Sequence, residues 1–265
     1  MDLGLGDATA VVVGGGRGMG LAAARCLADD GARIALIGRT AAVLDAAADE
    51  LTGRGSLDAV GLVADTGDDT QVQRVFGEIG ERWGGHLNIL INAVGPSVQG
   101  TFDELTDDQW CTAIDEGALG MVRCVRAALP LLRAAEWARI VNFAAQSTQR
   151  QSPRLAAYTA AKSVVTSVSK NLSLHLASDE ILVNVVSPGS IASEALTGWA
   201  ESVGVDGSDP YALMAAIDEH FGHPAHLPRA GLPDEIGPVV AFLASKRNSY
   251  MTGANINVDG GSDFT

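Results

Sequence analysis

Tyr158 and Lys162 stand four residues apart in AAYTAAK. On a helix that spacing puts a phenol and an ammonium on one face. A phenol can give a proton to a carbonyl oxygen or take one from an alcohol. Its ordinary pKa near about 10 makes it a poor base at neutral pH. A neighbouring positive charge favours the phenolate and brings the group into range. Such a pair wants a further donor to hold the substrate oxygen, yet the stretch upstream reads AAQST, with Ala144 and Ala145 first. Neither alanine carries a side-chain donor.

A second constellation lies near the N-terminus. In VVVGGGRGMGLAAA, Gly14, Gly18 and Gly20 have G-x-x-x-G-x-G spacing, with Gly16, Arg17 and Met19 between them. Glycines at a strand-to-helix junction let the backbone approach a pyrophosphate, which then rests on the helix N-terminus. The second strand ends IALIGRT and carries no acid for a ribose 2′-hydroxyl. Arg39 stands there instead and suits a 2′-phosphate, with Arg17 in reach of the same group. NADP(H) is therefore favoured over NAD(H). Asp65, beside Thr66, is placed to accept from the adenine amine, and Asn92 and Gly95 to flank the adenine ribose.

The elements that must position these groups alternate. Strand-length apolar runs are predicted at 9–14, 33–38, 58–65, 87–95, 138–145 and 181–189, with a last one in NINVDGG. Helical stretches separate them at 20–31, 41–51, 70–82 and 107–135, the last in one or two pieces. Another of about 20 residues holds Tyr158, and DEIGPVVAFLAS follows near the end. The strands are continuous apolar runs, as a parallel sheet covered on both faces requires. The pattern predicts an α/β chain: one doubly wound parallel sheet with helices on both faces, forming a single domain over 1–265. Residues 190–232 interrupt it with an irregular excursion, which suggests a substrate cover.

The 265 residues are 47% hydrophobic with a formal net charge of -14, a balance that disfavours nucleic acid and anionic lipid as partners. No apolar run has the length of a membrane span, and the N-terminus lacks the basic start of a secretory signal. Three cysteines without a CxxC fit small buried side chains in a reducing compartment, so a cytoplasmic location is expected.

Taken together, the chain resembles the short-chain dehydrogenase/reductase family. The markers are the glycine loop, NAVG at 92–95, IVNF at 140–143, Tyr158-x-x-x-Lys162, SPG at 187–189 and the C-terminal TGANINVDGG. The resemblance spans essentially the whole chain. It implies a Rossmann-type fold, a nicotinamide cofactor and a homotetramer or homodimer. It implies Tyr158 as proton donor or acceptor, and Lys162 as the group that lowers its pKa and binds the nicotinamide ribose. It further implies that Pro188, Gly189, Ile191 and Ser193 hold the nicotinamide end. Asn92 matches the family's N-N-A-G, and Ala93 departs from it.

Two departures touch the chemistry. The family's catalytic Ser falls on Ala145, and Gly117 stands where a helix Asn is expected to hold a water. Ser147 or Gln146 on the same loop can substitute as donor. If nothing does, the loss resembles that of one oxyanion donor, about 10²–10³ in rate. The resulting expectation is an NADP(H)-dependent oxidoreductase interconverting a carbonyl and an alcohol on a medium-sized, largely apolar substrate. The alternative is a cofactor-binding relative with isomerase, dehydratase, cyclase or ligand-binding activity. Leu196, Trp199, Met214 and Phe221 are expected to wall the substrate pocket, with Trp110 in the scaffold. His220, His223 and His226 cluster, but their spacing and Pro224 argue against a metal site.

Overall fold

The computed structural model describes residues 2–222 and 224–262. Its centre is a seven-stranded, all-parallel sheet in the order β3-β2-β1-β4-β5-β6-β7. The strands are β1 (Thr9–Val13), β2 (Arg33–Gly38), β3 (Asp58–Val63), β4 (Ile89–Asn92), β5 (Ala138–Phe143), β6 (Ile181–Pro188) and β7 (Asn255–Val258). Strands β1, β4 and β5 are buried along their whole length, which explains why they read as unbroken apolar runs.

Successive residues of one strand feed opposite cores. Ala10 and Val12 join a cluster formed with α1 (Gly18–Asp29), α2 (Ala41–Arg54) and α9 (Pro233–Ala244). Val11 and Val13 join the other, formed with α3 (Asp69–Arg82), α5 (Gly120–Ala134) and α6 (Ala156–His175). The chain is thus doubly wound, as expected. Strand order reverses between β1 and β4, and the carboxyl ends on either side of such a reversal open a crevice.

Several ends differ from the sequence reading. The third strand stops at Val63 rather than 65, because Asp68 turns back to accept from Thr70 N and Gln71 N and caps α3. The fourth stops at Asn92, and the run to Gly95 is loop. The long helical stretch is α4 (Asp107–Ile114), a π-helical turn (Asp115–Leu119) and α5. The excursion contains α7 (Glu194–Ser202) and α8 (Pro210–Phe221), and a bridge between Ile191 and Gly231 ties its base together. No helix among the described residues is long and apolar enough to cross a membrane.

Candidate active site

A cleft of about 1210 Å³ opens along the carboxyl ends of β1 to β4, at the point where strand order reverses. Gly14, Gly16 and Arg17 line it from the first turn, and Arg39 from the end of β2. Asp65, Thr66 and Gly95 line it from beyond β3 and β4. Seven of the predicted cofactor residues therefore meet in one space.

The glycine loop has the shape its residues allow. A Cβ on Gly14 would come within 2.9 Å of the Ala93 carbonyl oxygen, so β1 and the chain after β4 close tightly only with glycine there. Gly18 has φ +52 and opens α1. Gly18, Met19 and Gly20 form the first turn of that helix and do not line the cleft. No side chain caps α1, and no acidic residue stands in its first turn. Its first N–H groups are thus left without a side-chain acceptor among the described residues.

Arg39 is exposed and, among the described residues, is held by no hydrogen bond or ion pair. Asp65 Oδ1 accepts from Gly67 N at 2.9 Å, and the Thr66 carbonyl accepts from Arg123 at 3.1 Å, which fixes this turn under the cleft.

Asn92 does not reach the cleft. It is buried, and its Nδ2 donates to Asn142 Oδ1 at 2.8 Å, while Asn142 donates to Ser169 Oγ at 2.9 Å. Through these bonds the side chain braces β4, β5 and α6 from within, while its own Oδ1 is buried without a hydrogen-bond partner among the described residues. Ala93 likewise packs against Gly14 and donates its N–H to Val13 O at 2.9 Å.

Tyr158 and Lys162 lie in the first two turns of α6. Lys162 is 3% exposed, and its Nζ donates to Val94 O at 2.9 Å and Phe143 O at 2.7 Å. These carbonyls belong to the chain leaving β4 and to the end of β5, so the ammonium is clamped between neighbouring strand ends. A Cβ on Gly95 would sit 3.1 Å from Nζ, which places the lysine against a residue that lines the cleft. Burial lowers Lys162 to about 8. Tyr158 is half-buried, and burial pushes its phenol up to about 12. The ammonium is turned to two carbonyls, and desolvation governs the phenol.

Ala145 is 7% exposed and extended, and it opens a short turn at Gln146–Thr148. Ser147 is 3% exposed, with Thr159 Oγ1 donating to its Oγ at 3.1 Å. That bond sets Ser147 against α6 one residue beyond Tyr158. Gln146 is buried in the same turn.

Gly117 sits in the π-helical turn against Pro96. A Cβ there would stand 2.8 Å from Pro96 Cδ and 2.9 Å from Ala161 Cβ. An asparagine does not fit this position without a shift of its neighbours, and α4 and the widened turn both pack against α6.

The end of β6 continues the row of strand ends. Gly189 N donates to Val258 O at 3.1 Å and Ile191 is buried in the core. Pro188, Gly189, Ile191 and Ser193 do not line the cleft. Leu196, Trp199, Met214 and Phe221 also lie outside it. They pack with Leu213 and Ile217 into a small core shared by α7 and α8. Two short helices need their own apolar interior, and Met214 is buried in it while Leu196, Trp199 and Phe221 are partly buried against it. Trp110 is the reverse case. Expected in the scaffold, it lines the cleft with Cys111 and Glu116 and meets Phe102 edge-on at 6.0 Å. No sequence signal marked it, since the side of α4 that faces the cleft is set by tertiary packing.

His220 packs edge-on against Trp199 at 5.5 Å, and His223 lies outside the described residues. Among the described residues no three His, Cys, Asp or Glu side chains form a metal-holding group. Of the cysteines, Cys124 is buried, Cys26 half-buried, and Cys111 exposed against the expectation.

A family model described as Enoyl-(Acyl carrier protein) reductase matches residues 13–263. Meso-2,3-butanediol dehydrogenase of Serratia marcescens is 32% identical over 253 residues, covering 95% of this chain and 93% of that protein. The 3-oxoacyl-(acyl-carrier-protein) reductase FabG of Chlamydia muridarum is 30% identical, covering 95% and 96%. L-sorbose reductase from Gluconobacter frateurii, solved with NADPH and L-sorbose, superposes with a TM-score of 0.90 at 28% identity, over 100% of each chain.

Proposed function

The chain belongs to the short-chain dehydrogenase/reductase family, and we propose that it is an NADP(H)-dependent oxidoreductase that reduces a carbonyl to an alcohol. The observation that carries this reading is the placement of Tyr158 and Lys162. A phenol kept protonated by burial stands one helical turn from an ammonium clamped on Val94 and Phe143, beside Gly95 at the edge of the cleft. A neutral phenol is a donor, so the arrangement suits proton delivery to a carbonyl oxygen. Lys162 has one further N–H to offer the cofactor ribose, and its charge stabilises the phenolate that donation leaves.

The cofactor would supply the hydride. The residues present fit it: an uncapped helix start for the diphosphate, Asp65 and Thr66 beneath the adenine, and the free guanidinium of Arg39 for a 2′-phosphate. L-sorbose reductase was solved with NADPH, which supports the same cofactor here. The turn from Pro188 to Ser193 continues the line of strand ends and would hold the nicotinamide.

Ser147 is the donor we assign in place of the serine absent at Ala145. Its Oγ is hydrogen-bonded to Thr159 Oγ1, and as donor to a substrate it would offer its own hydroxyl proton. Trp110 lines the cleft, and the substrate class we propose remains a medium-sized, largely apolar carbonyl compound. The family reading extends to a homodimer or homotetramer in the cytoplasm.

The test is NADPH absorbance with a panel of ketones and aldehydes. Consumption of NADPH with matching alcohol formation is expected. Conversion of a substrate with no change in the cofactor would place the chain in the isomerase or dehydratase class instead.

A further inference from the structure

The two arginines of the cleft differ in what they already hold. Both line it, and Arg39 is uncommitted among the described residues. Arg17 is not: its Nη1 donates to Glu194 Oε2 at 2.6 Å. Glu194 is the first residue of α7, so this pair joins the glycine loop to the two-helix unit of the excursion.

The pair is exposed, with 56% of the Arg17 side chain and 70% of the Glu194 side chain open to solvent. Such pairs contribute little stability. Its interest lies in its place. Arg17 stands between Gly16 and Gly18 at the uncapped start of α1. A guanidinium offers a planar fork of N–H donors that fits carboxylate and phosphate equally well. The same donors cannot serve both at once.

We propose that Glu194 competes with a phosphate of the cofactor for the Arg17 guanidinium, and thereby sets cofactor affinity and couples α7 to cofactor binding. The inference rests on the NADP(H) reading above. Arg39 is then the open phosphate contact and Arg17 the one that exchanges partners. The released Glu194 returns to water at the N-terminus of α7, where the helix dipole favours a negative charge. The excursion stays anchored elsewhere. Ala192 N donates to Gly231 O at 2.8 Å at its base, and Arg150 donates to Gly222 O at 3.2 Å beyond α8. Release of Arg17 therefore frees α7 on its cleft side without detaching the unit.

The experiment is a fluorescence titration with NADPH and NADH of the wild type, Glu194→Gln, Arg17→Gln and the double variant. Glu194→Gln is expected to bind NADPH about two- to fivefold more tightly, the range of an exposed ion pair. Arg17→Gln should bind more weakly, and adding Glu194→Gln to it should restore nothing. A gain confined to NADPH identifies the 2′-phosphate as the competitor. An equal gain with NADH identifies the diphosphate. Glu194→Asp keeps the carboxylate and should stay near wild type. Amide hydrogen exchange across 194–202 gives a second readout: NADPH should raise it in the wild type but not further in Glu194→Gln. Wild-type affinity in Glu194→Gln, or a gain that persists without Arg17, overturns the proposal while the cofactor reading stands. A wild type that binds neither nucleotide overturns both.

Discussion

The ring of Pro96 fills the space in which a side chain at position 117 would begin. A Cβ on Gly117 would lie 2.8 Å from Pro96 Cδ, and 2.9 Å from Ala161 Cβ on the other side. The glycine and the proline are thus one arrangement, and the missing asparagine is excluded by shape. Gly117→Asn alone should destabilise the fold by about 1–3 kcal/mol, the range of an overpacked core. Pro96→Ala in the same chain should recover part of that loss. Denaturant midpoints of the single and double variants check it, and equal stability of Gly117→Asn and wild type would refute the contact.

Removing the hydroxyl of Tyr158 tests the proton donor. Tyr158→Phe keeps the ring and its packing. It should abolish carbonyl reduction while NADPH affinity changes little. Retained turnover in that variant would end the assignment.

The pH dependence follows from Lys162. Its folded value, about 8, lies below the ordinary 10.5, and the Tyr158 phenol stays protonated until about 12. Below pH 8 the ammonium is present to stabilise the phenolate formed on donation. As pH rises through 8 that charge is lost, so kcat/KM for reduction should fall on the alkaline side. Stability moves the other way in the lysine's window. From pH 8 to 10.5 the unfolded chain holds the proton that the folded chain has released, so this group's contribution grows with pH. Lys162→Met should remove both trends, as rate profiles and urea titrations would show.

Arg39 is expected to select the phosphorylated cofactor. Arg39→Asp should weaken NADPH binding about tenfold or more, in line with losing a charge-assisted contact of about 1.5–3 kcal/mol. NADH should suffer less. The ratio of the two dissociation constants is the measurement, and an unchanged ratio would clear Arg39 of the role.

The donor at the substrate oxygen is tested from both sides. Ser147→Ala should lower kcat by up to about 10²-fold, as for one lost oxyanion donor. Ala145→Ser should restore part of the rate in that background. Unchanged kcat in Ser147→Ala would leave the substrate oxygen without this partner.

Much of this architecture was readable from residue order. Unbroken apolar runs such as TAVVV and ILIN mark strands buried on both faces, and each lies in the sheet. The glycine loop meets Arg39 and Asp65 in one cleft, as their positions at successive strand ends implied. Side-chain direction was less legible. Asn92 sits at the expected strand end but turns inward to Asn142, and Met214 turns into the core between α7 and α8.

Sequence alone determined the sheet, its parallel winding and the placement of Tyr158 and Lys162 one turn apart on one helix, because each rests on local spacing and on burial that a period of residues records. Tertiary structure decided the rest. Trp110 came to line the cleft, Pro96 closed the place of a side chain at 117, and Glu194 came to hold Arg17 across 177 residues. Those outcomes depend on which distant surfaces come within a few ångströms of one another, and contact at that range leaves no periodic trace along a chain.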